Sequence, residues 1–347
     1  MLSRLKIGML ASVAIMLAIG ISGVAAVSAQ DASPTAVDCV SPGLPPGTPT
    51  PMEEDMEGMA SPEAVGSPEA GASPEAMEMG TPEPLPAGTA AEGDQAAEIE
   101  AAAANYVACL AQGWATGDPT LFVALESARF ILDDTGTGNP YDRVANEMGS
   151  PFTDLEVLAI SDPQVYDDGR VGANIHAVVN GTWLVNLQAI FVQEKGSWLL
   201  DQQAFQSPDT SFADGVSVVG IDIVETTDES TGAVTYAFQF LGSTTVPQNE
   251  VIALNVSNKG AEAHEVIVVQ LPEGADPMGL LDESIPFDQI NFLAFVAPVF
   301  PGESVDIGLL NLEPGVYTLV CFFPGPDGLP HAANGMIAQF EVVAPAA

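Results

Sequence analysis

The sequence predicts a multi-domain chain in which an acidic N-terminal tether leads into an α+β unit and then into an all-β sandwich. Three observations carry this. Residues 30–94 are dominated by Pro, Ala, Gly, Ser, Glu and Met. Residues 95–207 show one strong helical pattern followed by a run of strands. Residues 215–345 show strand patterns separated by turns and almost no helical periodicity. At 347 residues the chain is long enough for two cores and linkers.

Residues 1–29 read as an export signal: Arg4 and Lys6 precede an apolar stretch from Ile7 to about Val27, and Val27-Ser28-Ala29 supplies small residues for cleavage. An exported, extracellular or cell-envelope protein is expected. The alternative is an uncleaved membrane anchor, since the apolar run approaches spanning length. In the tether, Ser-Pro-Glu-Ala recurs at Ser61, Ser67 and Ser73, and such a composition buries too little apolar surface to fold. Met52, Met56, Met59, Met77 and Met79 lie among its acids; they are either soft ligands for Cu(I) or parts of a plain spacer. Aspartate and glutamate number 47 against 7 lysines and arginines, a formal charge of −40. That balance excludes nucleic acid as a partner, because nothing here replaces counterions along a phosphate backbone. A partner is expected to be basic or apolar, unless the charge serves solubility alone.

In the α+β unit, Ala97–Ala111 is a strong helix former with an apolar stripe. Gly117-Asp118-Pro119 stops it and starts a second helix through Leu121 to about Leu125. Strands are predicted over Leu155–Ile160, Val165–Tyr166, Val171–Val179, Trp183–Val192 and Trp198–Phe205, with Asp167-Asp168-Gly169 and Gly196 as turns. Helices followed by this meander, over about Gln95 to Gln206, resemble the NTF2-like (SnoaL-like) α+β cone. The resemblance implies an enclosed pocket, used as an enzyme or small-ligand site in some members and as a scaffold in others. His176 is the candidate general base of such a pocket, or else a structural or surface histidine.

Ser207-Pro208-Asp209 marks the boundary. Val216–Val224, Val234–Phe240 and the stretch Val251–Gly260 read as strands and turns, and His264 opens the apolar run Val266–Leu271. The apolar insertion Pro272–Pro298 is expected to pack as a short helix over the sandwich, or to line a metal site. Gly315–Cys321 is a strand, followed by a loop that carries His331 and Met336 into a last strand, Ile337–Val343. A thiolate, two imidazoles and a weak axial thioether form the donor set of a trigonal copper site.

Asn258-Lys259-Gly260 before His264-Glu265, Pro301-Gly302-Glu303 before a strand, Pro314-Gly315-Val316-Tyr317 ahead of Cys321, and Gly335-Met336 opening the last strand together resemble the cupredoxin (type 1 blue copper) family. The resemblance covers roughly the last third of the chain. It implies a Greek-key sandwich holding one type 1 copper, with His264, Cys321, His331 and Met336 as ligands. Nine residues separate Cys321 from His331, as in the longer loops of the copper nitrite reductase branch. Pro324, Pro326 and Pro330 stiffen that loop. Glu265 occupies the place where family members often carry an asparagine that ties the two ligand loops together.

With only His176, His264 and His331 in the chain, a trinuclear cluster or a nitrite-reducing second copper is excluded. One-electron transfer or copper carriage remains, with no catalytic residue assigned. An unknown redox partner is expected to dock near an exposed edge of His331, where Phe322, Phe323, Pro324, Leu329 and Pro330 form an apolar rim or a loop packed on its own domain. If Cys321 is the thiolate, Cys39 and Cys109 are left to pair as a disulfide, or to remain as two thiols. The alternatives are a metal-free cupredoxin-like binding module with Cys321 in its core, or a function in the NTF2-like pocket.

Overall fold

The computed structural model describes residues 37–47 and 87–344. The export signal and most of the tether, including its methionines, lie outside the described residues. What is described is mostly β-sheet with few helices. No helix among the described residues is long and apolar enough to cross a membrane.

A short strand β1 (Thr89–Ala90) leads into α1 (Gly93–Thr116), α2 (Thr120–Val123), α3 (Ala128–Thr135) and α4 (Pro140–Glu147). Helix α1 buries Ile99, Ala103, Tyr106, Val107 and Cys109 along one face and ends at Gly117, whose φ of 68° is a left-handed cap that favours glycine. Helices α3 and α4 are absent from the sequence expectation. Each is two turns long and defined by its cap: the Ser127 hydroxyl accepts the Phe130 N–H, and the Asn139 side chain accepts the Tyr141 N–H ahead of Pro140. Cys39 and Cys109 form a disulfide. With Asn105, which bonds both the N–H and the C=O of Val40, it holds residues 37–47 against α1.

Four long strands follow: β2 (Leu155–Val165), β3 (Val171–Val179), β4 (Trp183–Glu194) and β5 (Ser197–Gln206). The two strands expected on either side of Ile160 are one, β2, with register shifts near Ala159 and after Ser161. The next strands are β6 (Val216–Thr227), β7 (Val234–Phe240), β8 (Thr245–Pro247), β9 (Val251–Asn258) and β10 (His264–Gln270). The insertion is not a covering α-helix. Two short 3-10 turns, Pro277–Leu280 and Phe287–Gln289, precede an edge strand, β11 (Asn291–Val299). The chain ends with β12 (Ser304–Leu310), β13 (Gly315–Val320) and β14 (Ile337–Val343).

These strands form two sheets. One runs β1-β2-β3-β4-β12-β9-β6-β7, with β5 also paired to β4; the other runs β11-β10-β13-β14-β8. The expected boundary at 207–209 falls between β5 and β6, yet the larger sheet crosses it, because Trp183 and Leu184 of β4 pair with Leu309 and Gly308 of β12. Ile221, Ile223, Ile252 and Leu254 of the larger sheet meet Ile267, Leu319 and Phe340 of the smaller one in a buried core. Burial of that core is the main stabilising term for the framework on which the ligand loops sit.

Candidate metal centre

The site forms where two connections, β9–β10 and β13–β14, meet at one end of the smaller sheet. His264 is the first residue of β10 and pairs with Val299 of β11. Cys321 follows β13 directly, and its N–H donates to the Met336 carbonyl (3.3 Å) while its own carbonyl accepts the Ala332 N–H (2.8 Å). The His331 N–H donates to the Phe323 carbonyl (2.7 Å), and the Met336 N–H to the His331 carbonyl (3.0 Å). Backbone bonds thus fix both ends of the long loop. Gly335 reverses the chain with φ 104°, and a Cβ there would lie 3.1 Å from the Tyr236 carbonyl, so glycine is required.

His264, Cys321, His331 and Met336 are all buried, at 0–1% exposure. The two imidazole Nδ1 atoms lie 2.9 Å apart, and Cys321 Sγ lies 3.5 Å from that of His331 and 4.0 Å from that of His264. The three donor atoms fall within 4.8 Å of one another. Metal–nitrogen bonds of about 2.0–2.1 Å and a metal–sulfur bond of about 2.3 Å, at trigonal angles, set N···N near ~3.5 Å and N···S near ~3.8 Å. The observed triangle fits with a narrower N–metal–N angle. Met336 sits in the same buried cluster as Cys321.

Hydrogen bonds orient each ligand. The Glu265 N–H donates to Cys321 Sγ (3.4 Å). Its carboxylate Oε1 accepts the Phe322 N–H, so Glu265 itself ties the two ligand loops together. Asn258 braces the first loop: its amide donates to the carbonyls of Glu262 (2.8 Å) and Val299 (2.9 Å), and its oxygen accepts the Gly260 N–H (2.8 Å). His264 Nε2 lies 3.3 Å from Glu225 Oε1, and His331 Nε2 lies 3.1 Å from Glu262 Oε2. In the tautomer in which each Nε2 donates to its carboxylate, each Nδ1 presents a lone pair toward Cys321.

Burial shapes the electrostatics. It lowers the pKa of His264, with His331 adding to the effect, and it lowers that of His331 despite Glu262, so both rings favour the neutral, ligating form. Burial, helped by Glu265, pushes the Cys321 thiol far above its ordinary range; a thiolate here needs a cation in contact. Burial also pushes Glu265 up to about 8. At Glu225, burial works to raise the pKa, and the Glu262 and Ala261 amides with His264 overcome it, holding the group below its usual value.

One expectation is corrected, and of the two readings of His176 the pocket base is set aside. His331 has no exposed edge: it is 1% exposed, stacked on Tyr236 with ring centroids 4.0 Å apart and capped at Nε2 by Glu262. Of the apolar rim, Phe322 and Phe323 are half-buried and pack on the core, whereas Leu329 is exposed. His176 likewise does not face a helix-covered pocket. That face of the sheet presents Ala173, Ile175 and Ala177 to Tyr106, Phe122 and Phe191 and is filled by them. His176 alternates to the opposite face, with Nε2 3.1 Å from the Ser161 hydroxyl.

Glu225, Glu262 and Tyr236 are the site residues that sequence reasoning missed. Glu225 lies 39 residues from His264, and no local pattern marks such a pair.

No family model matches the chain, and no curated protein matches it. Among solved structures it is similar to reduced auracyanin from the photosynthetic bacterium Roseiflexus castenholzii: 25% identity over 36% of this chain and 96% of that chain, TM-score 0.25. It is also similar to auracyanin A, a "blue" copper protein from Chloroflexus aurantiacus (20% identity, 38% of this chain and 100% of that chain, TM-score 0.24). Reduced rusticyanin matches at 15% identity over 38% of this chain and 79% of that chain, with TM-score 0.23.

Proposed function

We propose that the chain is an exported cupredoxin that binds one type 1 copper and passes single electrons. The observation that carries this reading is the pair of Nδ1 lone pairs held 2.9 Å apart beside a buried sulfur. Two lone pairs that close repel unless a positive charge lies between them, and two imidazoles and a thiolate with a weak axial thioether are the donor set of a type 1 copper site. His264, Cys321 and His331 supply the trigonal donors, and Met336 the axial thioether. Copper in such a site supplies a one-electron couple. The protein's part is to keep the donors in place in both oxidation states, and the backbone bonds at Cys321, His331 and Met336 do so.

A redox partner docks near His331, on the side of the partly exposed Glu262 that faces its Nε2. Glu262 on that side and the net charge of −40 favour a partner that presents basic groups.

One observation favours a second reading. The 2.9 Å Nδ1···Nδ1 distance is also a hydrogen-bond length, so a shared proton can take the metal's place in a metal-free binding module. Adding Cu(II) to chelator-treated protein decides between them. An intense thiolate-to-copper band with narrow copper hyperfine splitting is expected, and Cys321→Ser should abolish both. A colourless protein that takes up no copper leaves the metal-free module.

A further inference from the structure

Both imidazoles are backed by a carboxylate, and the two carboxylates are themselves fixed. Glu225 reaches from β6, and its Oε1 accepts the N–H groups of Ala261 and Glu262 at 2.8 Å each as well as facing His264 Nε2. The fit is close: a Cβ at Gly260 would lie 2.3 Å from the same oxygen. Glu262 faces His331 Nε2 and receives the Tyr236 hydroxyl, 3.1 Å from each of its oxygens. Tyr236 also covers both rings, stacked on His331 and edge-on to His264 at 5.7 Å.

We propose that Glu225 and Glu262 are positioning residues that bias the metal centre toward its oxidised state, and that Tyr236 moderates the bias through Glu262. This rests on the copper reading. A carboxylate that accepts the distal N–H of a ligating histidine fixes the tautomer and makes the metal-facing nitrogen more basic. The added electron density favours Cu(II), the harder and more highly charged ion, over Cu(I). Two such pairs in a buried site act in the same direction, and low surrounding polarity enlarges the effect of each.

The test uses the copper-loaded full-length protein, with absorption, EPR and the reduction potential read on each variant. Glu262→Gln keeps an acceptor oxygen but removes the charge. It should weaken Cu(II) binding about tenfold or more relative to Cu(I) while the thiolate band persists. Each tenfold raises the potential by about 59 mV for a one-electron couple. Tyr236→Phe keeps the stacked ring and removes the hydroxyl, leaving Glu262 a stronger acceptor, so its potential should fall. Glu225→Gln should shift as Glu262→Gln does; because Glu225 also anchors the 261–262 backbone, the Glu262 and Tyr236 variants decide the matter if it fails to load. A blue wild type whose potential is unmoved by Glu262→Gln and Tyr236→Phe, or moved in the same direction by both, overturns the inference and leaves the copper reading intact. A wild type that never develops the thiolate band removes the copper reading, and the inference with it.

Discussion

Two of the buried clusters of polar side chains among the described residues, one at the ligand loops and one beneath helices α1–α4, are built on opposite principles. In the helical unit Arg143 is 5% exposed and is surrounded by acids: Glu126 Oε2 at 3.1 Å and Asp134 Oδ2 at 3.4 Å from its Nε, with Glu147 on its Nη1. Tyr106 donates to Glu126 (3.3 Å). Positive and negative charges are both present and pair with one another, although the Asp134 oxygens accept no hydrogen bond among the described residues. At the ligand loops His264, Cys321 and His331 are all electron-pair donors, aimed inward at one another. Self-closure marks a structural network, whereas convergence of like donors marks a place for a cation. Burial and unusual acidity alone do not separate the two.

The largest effect should come from breaking the closed cluster. Arg143→Ala leaves Glu126 and Asp134 buried without their cation, which costs about 3–5 kcal/mol. Cys321→Ala in the metal-free protein removes one small sulfur and is expected to cost far less, although it abolishes metal binding. Denaturant unfolding of both variants in chelator checks this contrast. Equal losses would mean that the ligand loops are a closed network after all.

The pH dependence of stability sharpens the same distinction. One guanidinium cannot neutralise three carboxylates, and burial, opposed by Arg143, raises Glu126 to about 7 and Asp134 to about 6. Each pKa is raised above its value in the unfolded chain, so between about 4.5 and 7 the folded state holds more protons than the unfolded one. The contribution of these two groups to stability is therefore greatest at the acid end of that window and falls as pH rises through it. The fall from Glu126 alone is on the order of 2–3 kcal/mol. Glu126→Gln should flatten the curve of unfolding midpoint against pH over this range, and a slope unchanged by the substitution would remove Glu126 as its source.

How far the two regions could be read from sequence follows from the range of their contacts. Strands β3, β7 and β14 match their expected bounds, since each is a compact run between turn residues. Cys321, His331 and Met336 were legible because one loop carries all three, and His264 because it opens an apolar strand after a turn. Helices α3 and α4 are two turns long, and their apolar residues are too few to set a period. The run Phe292-Leu-Ala-Phe-Val296 is apolar on both faces, so helix and strand were not separable there; pairing with β10 makes it a strand. Glu225 and Tyr236 reach the ligands only because β6 and β7 fold over the first ligand loop, whereas Glu262 lies on that loop, two residues before His264, and faces His331, distant in sequence. Arg143 and Glu126, on separate short elements, were invisible for the same reason.

The smallest effect concerns Glu265, which belongs to neither pattern cleanly. Its Oε1 accepts the Phe322 N–H, but its Oε2 is buried with no hydrogen-bond partner among the described residues. Its backbone N–H, which donates to Cys321 Sγ, is independent of the side chain. Glu265→Ala strands the Phe322 N–H in a buried place, a loss of about 1–3 kcal/mol. Glu265→Gln keeps the acceptor, fills the same volume and replaces one neutral group by another near neutral pH, so stability should change by less than about 1 kcal/mol. If the side chain's work is to join the two ligand loops, the glutamine variant should also keep the wild-type copper spectrum, while the alanine variant broadens it. A glutamine variant as damaged as the alanine one would show that the carboxyl group itself, and not the tie it makes to Phe322, is what the centre requires.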